Sequence, residues 1–292
     1  MSERESKKLN KSVHRFGGQW TLSKPEALQK YLSAYTNALK NKSFRLHYID
    51  AFAGSGAFEI MVDGESVSQR GSAQIALDTT PQFHELIFIE KDGNRCDDLR
   101  ALSAERPDRS VRVIQGDANI ELANLCASIR WSSNRAVLFL DPYGAEVEWA
   151  TLGAIARTKA IDVWYLFPLS GLYRQMAKDS RQIDPGKEAT ITRLLGTDQW
   201  KEAMYSQPPT KDLFGDDHDQ RHTDVEQITQ FVTERIGSLF PMIAGPKVLH
   251  LTLPGRQGVG APMYALYFAA SNPSPGAAGL ACRIAKDVLN SL

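Results

Sequence analysis

Cysteine is scarce in this sequence: Cys96, Cys126 and Cys282 stand far apart, with no C-x-x-C spacing. Three thiols cannot all pair with one another, so no disulfide framework is expected, and the simplest setting is a reduced, cytoplasmic one. Long apolar runs are missing as well. No stretch approaches the roughly 18–20 residues that span a bilayer, and the polar start Met1–Asn10 has no signal-peptide core, so neither membrane association nor export is expected. There is no excess of charge of either sign, because 34 Lys plus Arg balance 34 Asp plus Glu. No global field draws the chain to polyanions or acidic membranes, and any nucleic-acid contact must use a local patch. What remains is a 292-residue chain with 42% hydrophobic and 23% charged residues. That composition excludes disorder over most of the length and fits one large α/β domain.

The first fifteen residues carry Arg4, Lys7, Lys8, Lys11 and Arg15 against Glu3 and Glu5, without periodicity, which reads as a mobile basic arm. Beyond Phe16–Thr21, Ser23 and Glu26 have capping-box spacing around Pro25. Leu28, Leu32, Tyr35 and Leu39 follow at helical spacing, which predicts a helix ending near Asn41. From residue 45, apolar strand-like runs alternate with helical stretches. The runs are Arg45–Asp50, Glu85–Glu90, Val111–Gly116, Ala136–Asp141 and Ile161–Phe167; the helices are Ser72–Asp78, Asn94–Ala104, Ile120–Ile129 and Trp149–Arg157. This alternation predicts a mostly parallel sheet covered by helices. Residues 171–240 read as a helical insertion, with an acidic surface loop over Asp212–Glu226. Two further strands, Lys247–Leu253 and Met263–Ala269, flank the glycine-rich loop Pro254–Gly260 and place an antiparallel strand near the C-terminus.

Chemistry gathers at the ends of the predicted strands. The first ends in Asp50-Ala51-Phe52-Ala53-Gly54-Ser55-Gly56, a turn whose glycines let backbone approach a ligand. By itself such a turn is equally well a tight strand-to-helix connection. The second strand ends in Glu90, followed by Lys91, and suits the ribose hydroxyls of a nucleoside. The third leads to Asp117 and Ala118, placed to accept from an adenine amino group. The plain alternative is that these are polar residues leaving buried strands. A pyrophosphate dinucleotide is disfavoured, because position 59 is Glu59 rather than a third glycine and a long charged insertion, Phe58–Arg70, precedes the helix at Ser72. S-adenosyl-L-methionine carries no phosphate and has an ammonium group that suits Asp50, so it is the expected cofactor.

The fourth strand stops at Asp141-Pro142-Tyr143-Gly144. An exocyclic amine of a nucleobase is a poor nucleophile, since its lone pair is delocalised into the ring. Hydrogen bonds to the Asp141 carboxylate and the Pro142 carbonyl would favour a pyramidal nitrogen, with Tyr143 stacking on an extruded base. The alternative is an Asp-Pro turn closing a strand.

These motifs, Asp50–Gly56, Glu90, Asp117 and Asp141–Gly144, resemble class I S-adenosylmethionine-dependent methyltransferases. The last is similar to the D-P-P-Y element of amino-methylating DNA and RNA enzymes with one proline missing. More closely, Phe16–Thr21, Tyr48–Gly56, Phe88–Asp92, Leu140–Gly144 and Tyr267–Pro273 resemble the three-Cys-motif partner protein family over nearly the whole chain. The resemblance implies a Rossmann-like methyltransferase sheet over residues 43–292, with the arm and helix of 1–42 packed on it. It also implies association with a cysteine-motif protein partner. The leading expectation is methylation of a nucleobase amino group in DNA or RNA; the alternatives are a protein methyltransferase acting on a partner and a non-catalytic interaction module.

Arg174, Lys178 and Arg181 follow the fifth strand and border the acceptor site if they contact phosphates, although charges on a solvated helix are commonplace. Arg256 and Gln257, in the glycine-rich loop expected to open on the same side, either touch the acceptor or belong to a plain flexible turn. His218 and His222 have i, i+4 spacing amid aspartates but lack a second ligand cluster, so no metal site is expected.

Overall fold

The structure, a computed structural model, describes residues 19–62, 65–206, 219–250 and 260–292. In chain order the first half comprises α1 (Gln19–Leu39), β1 (Arg45–Asp50), β2 (Ala57–Val62), β3 (Glu65–Arg70), α2 (Ser72–Asp78), β4 (Glu85–Glu90), α3 (Gly93–Ala104), β5 (Val111–Gln115), α4 (Ala118–Ser128) and β6 (Asn134–Leu140). The second comprises α5 (Trp149–Arg157), β7 (Ile161–Phe167), α6 (Leu169–Gln175), α7 (Pro185–Leu195), α8 (Trp200–Met204), the two-residue pair β8 (Tyr205–Ser206) and β9 (Gln220–Arg221), α9 (Val225–Gly237), β10 (Met242–His250), β11 (Pro262–Ala270) and α10 (Pro275–Asn290).

Seven strands form one sheet in the order β10-β11-β7-β6-β1-β4-β5. All run parallel except β11, which lies antiparallel between β7 and β10. The central strands are apolar on both faces because helices cover both, and β1, β4, β6 and β7 are buried almost end to end. On one face α1, α2, α3 and α10 contribute Tyr31, Ile75, Leu99 and Cys282 to a core built on Tyr48, Phe88, Trp164 and Phe268. On the other, α4 through α9 bring Leu122, Leu152, Leu172, Ile191, Trp200 and Ile228 onto Ile49, Ile87, Leu138 and Tyr267. The expected insertion after β7 thus supplies much of one helical layer. From β1 the chain winds outward through β4 and β5, then crosses back to β6 on the other flank of β1. That reversal opens a crevice at the carboxyl ends of the strands.

Three expectations are corrected, and one segment with no expected structure acquires one. Helix α1 begins at Gln19, so Ser23 and Glu26 lie inside it rather than at its N-terminus, and Pro25 does not end it. The charged insertion 58–70 is a two-stranded antiparallel ribbon, with Ala57 opposite Arg70 and Val62 opposite Glu65. Strand β10 starts at Met242 rather than Lys247, because Gly245 and Pro246 fall in a register irregularity between Ala244 and Lys247 on an edge strand, where a missing N–H is tolerated. The acidic stretch expected to be loop to Glu226 is helix by Val225: Asp224 caps α9 by accepting from Gln227 N, while the Gln227 side chain accepts from Asp224 N. The basic arm, Phe16–Gly18, residues 212–218 with His218, and Arg256 and Gln257 lie outside the described residues.

Candidate functional site

The turn after β1 is built on a buried acid. Strand alternation puts Tyr48 and Asp50 on the same face, and Asp50 is fully buried. Its Oδ2 accepts from the Tyr48 hydroxyl at 3.2 Å and its Oδ1 from Phe52 N at 3.3 Å. Burial and the adjacent carboxylate raise the Tyr48 hydroxyl well above the usual tyrosine range, so it serves as a donor. Gly54 and Gly56 hold positive φ angles of 62° and 83°, a conformation that costs a residue with a side chain strain. A Cβ on Gly56 would come within 2.5 Å of Leu102, whereas one on Gly54 would meet nothing within 4 Å. Space therefore stands open beside Gly54.

Glu90 holds that turn in place. Its Oε2 accepts from Gly54 N at 2.9 Å, and its Oε1 from Lys91 N and Asp92 N, each at 2.9 Å. Only 6% of Glu90 is exposed. A carboxylate offers about four acceptor directions; three are used by these backbone groups, and the remaining one, on Oε2, suits a hydroxyl. Asp117 caps α4 through Oδ1, which accepts from Asn119 N and Ile120 N at 2.9 and 3.4 Å. Among the described residues its capping bonds all fall on Oδ1, which leaves Oδ2 for a ligand donor. Ala118 is buried beneath this turn, Lys91 is exposed, and the apolar Ile120 is 61% exposed beside it. The strand ends of β1, β4 and β5 thus collect Asp50, Gly54, Glu90 and Asp117, with Phe52, Ala53 and Gly56 in the same turn.

The other half of the edge is aromatic and cationic. Asp141 directly follows β6, Pro142 is buried, and Tyr143 is 61% exposed. Tyr143 N donates to Glu146 Oε2 at 3.1 Å, and Arg95 Nη1 donates to the Tyr143 hydroxyl at 2.7 Å. Partial burial raises the Tyr143 hydroxyl above its ordinary value, with Arg95 opposing that shift. Arg174 is exposed in the last turn of α6, and Tyr264 precedes the β11 residue paired with Phe167 at the end of β7. Because β11 runs backward, its start lies at the carboxyl ends of its neighbours. Lys178 is exposed and its carbonyl accepts from Arg221 N at 2.8 Å. Arg181 pairs with Asp179 at 2.8 Å, as a solvated surface charge does.

Arg95, Glu146 and Tyr264 were not anticipated from sequence. Arg95 lies in the first turn of the helix after the Glu90 strand end, a position that a walk past the motif would have reached. Tyr264 becomes legible only once the direction of the last strand is known. Among the described residues no group of His, Cys, Asp and Glu is placed to hold a metal ion, and His222 Nδ1 lies 3.2 Å from Ser206 Oγ. No helix of the described residues is long and apolar enough to cross a membrane. A cavity of about 510 Å³ between α7, α8 and the β8–β9 pair, lined by Trp200 and Tyr205 among others, contains none of the strand-end residues.

No protein-family profile matches the sequence, and no curated protein matches it. Solved structures do. Protein LPL1258 from Legionella pneumophila is 11% identical, with 91% of this chain and 90% of that one covered at a TM-score of 0.50. Trm1 from Pyrococcus horikoshii, solved with S-adenosyl-L-methionine, is 11% identical, with 96% of this chain and 61% of that one covered at 0.45. The putative methyltransferase yhhF from Escherichia coli is 16% identical over 48% of this chain and 69% of that one, at 0.31. At such identities the likeness concerns the fold. Together with the strand order and the single reversed strand, it is the Rossmann-like class I methyltransferase fold.

Proposed function

We propose that this chain is an S-adenosyl-L-methionine-dependent methyltransferase that acts on an exocyclic amino group of a nucleobase in DNA or RNA. The observation that carries the reading is the split sheet edge. β1, β4 and β5 present acceptors suited to a nucleoside with an ammonium group, and β6, next to β1, presents an acid and an exposed ring beside them. The residues fit the cofactor. The open space at Gly54 admits it to the backbone, the spare direction on Glu90 Oε2 accepts a ribose hydroxyl, and Asp117 Oδ2 accepts the adenine amino group. Asp50 supplies buried negative charge near the amino-acid end, and Ile120 offers an apolar surface. When bound, the cofactor supplies an electrophilic methyl group on a sulfonium.

The chain's own contribution is to the acceptor. Asp141 and the Pro142 carbonyl would accept hydrogen bonds from the two N–H groups of the amine, which localises the nitrogen lone pair; as the N–C bond forms and the methyl–sulfur bond breaks to leave a thioether, Asp141 offsets the positive charge on nitrogen, which then gives up one proton to Asp141 or water. Tyr143 stacks on the base. In this reading residues 43–292 form the methyltransferase unit, residues 1–42 serve packing or acceptor capture, and Arg256 contributes to holding the acceptor.

The test is transfer of label from methyl-labelled S-adenosylmethionine to separate pools of DNA, RNA and protein, with calorimetry of cofactor binding alongside. Labelled nucleic acid with methyl on a base nitrogen supports the reading. Label on protein alone moves the acceptor to a partner side chain, and binding without transfer to any pool turns the chain into a cofactor-holding interaction module.

A further inference from the structure

Two arginines and two tyrosines line the acceptor half of the sheet edge, and their arrangement bears on how an acceptor is recognised. The Arg95 guanidinium is bonded to the Tyr143 hydroxyl and lies 5.4 Å from the ring centroid. Elsewhere in the molecule Arg221 lies 3.7 Å from the centroid of Tyr173 and donates to the Met176 carbonyl at 3.0 Å. That second pair is a face-on stack that closes a loop. At Tyr143 the guanidinium lies over the ring at the longer distance and bonds the hydroxyl, while the residue stays 61% exposed. On the far side, the β11–β7 register sets Tyr264 just beyond Phe167, and α6, which follows β7 through Pro168, carries Arg174. The Tyr264 hydroxyl lies within electrostatic reach of both Arg174 and Tyr143. Three adjacent strands, β6, β7 and β11, together with α3 and α6, thus assemble the row Arg95, Tyr143, Tyr264, Arg174.

Cations outside and aromatic rings inside match the chemistry of consecutive nucleotides, with phosphates flanking bases. We propose that this row is a track for single-stranded nucleic acid, in which Tyr264 stacks a base next to the target base on Tyr143 and Arg95 and Arg174 contact the flanking phosphates. The proposal rests on the nucleobase reading above and narrows it to a strand out of the duplex. Aromatic faces reach bases only when those bases leave the helical stack. The chain is neutral overall, and Glu90 and Glu146 border Tyr143, so the dense phosphate array of a duplex is not favoured there. Arg95 acts as a positioning residue for Tyr143 as well as a phosphate contact.

The experiment is fluorescence anisotropy of the full chain with labelled mixed-sequence oligonucleotides of about 16 nucleotides, as single-stranded DNA, single-stranded RNA and the matching duplexes, between about 50 and 200 mM salt. Single strands are expected to bind more tightly than duplexes. Tyr264→Leu, which keeps apolar bulk but removes the flat ring, should weaken single-strand binding about tenfold, and Tyr264→Trp should restore it. Arg95→Gln and Arg174→Gln should each lower the slope of log affinity against log salt by about 0.7, the share of one single-strand phosphate contact. Arg174 is exposed at a helix end, so its variant tests the idea without threatening the fold. Unchanged affinity for Tyr264→Leu together with unchanged slopes overturns the track, even where the wild type methylates nucleic acid and the broader reading stands. A wild type that binds no oligonucleotide overturns both.

Discussion

At the carboxyl edge of the sheet Glu90 accepts three backbone N–H groups, whereas near the opposite edge Asp162 accepts a single hydroxyl, from Tyr31 at 3.2 Å. Both belong to strands of the same sheet. Glu90 ends β4, where the chain turns into α3 and several N–H groups converge. Asp162 is the second residue of β7, where the ladder uses the backbone and the surroundings are Tyr31, Trp164, Phe268 and Cys282. Burial there pushes the Asp162 carboxyl up to about 7, the Tyr31 bond and Arg135 opposing only part of the shift. A perturbed carboxyl is a common mark of an active site, yet here it points to the wrong end of the sheet. A strand-to-helix turn can hold a charge ready for a ligand; a strand start packed under α1 and α10 makes the neutral form of the acid the easier one to bury.

That contrast breaks most readily at Asp141. In the proposed mechanism Asp141 stands where the acceptor nitrogen gains positive charge, so Asp141→Ala should keep cofactor affinity and lose about 10²-fold or more in turnover. Initial rates of label transfer, with calorimetric affinities for the cofactor, make the check; wild-type turnover in the variant ends the amino-methyltransferase mechanism while leaving the fold reading intact. A smaller effect is expected at Glu90. Glu90→Ala removes the partner of three N–H groups and, in the proposed reading, the acceptor for a ribose hydroxyl, and should weaken S-adenosylhomocysteine binding by roughly 1–3 kcal/mol. Unaltered affinity would mean that Glu90 serves the Gly54 turn and nothing else.

Much of the fold could be read before the structure was known. Strands β4, β6 and β7 carry continuous apolar runs, β1 and β5 are apolar runs broken by polar residues, and α2 and α5 begin and end where the sequence predicts. Elements that depend on partners were harder. The β2–β3 ribbon pairs only with itself, outside the main sheet, and its sequence does not say which strand is its partner. Pro246 hid the start of β10, since a proline reads as a strand breaker unless the edge position is known. The site divides in the same way. Asp50, Gly54, Glu90, Asp117 and Asp141 each close a strand or its turn, and position along the chain reveals that. Arg95 and Tyr264 belong to the site through packing of a following helix and through strand direction, neither of which spacing encodes. The internal bonds of Glu90 and Asp117 were equally hidden, because acids that serve a ligand and acids that cap a helix look alike in one dimension.

The gentlest test of the contrast is the pH dependence that Asp162 should impart. In the unfolded chain an aspartate titrates near 3.9, and in the folded chain this one is pushed up to about 7. Between those values the folded state binds the extra proton, so stability falls as pH rises through the window and levels off above it. Asp162→Asn removes the titration while keeping a side-chain oxygen for Tyr31. Near pH 3, below both values, the two proteins should melt together, and near pH 8 the variant should be the more stable. At about 1.4 kcal/mol per pK unit the ceiling is a few kcal/mol. Asp162 keeps partial solvent exposure, which screens the charge, so the expected gain is of order 1 kcal/mol. Denaturant melts of both proteins at the two pH values, analysed as a difference so that shared titrations cancel, give the answer. Were the variant less stable than wild type at pH 8, the ionised carboxylate would be a favourable partner of Tyr31, and the two ends of the sheet would hold their acids alike.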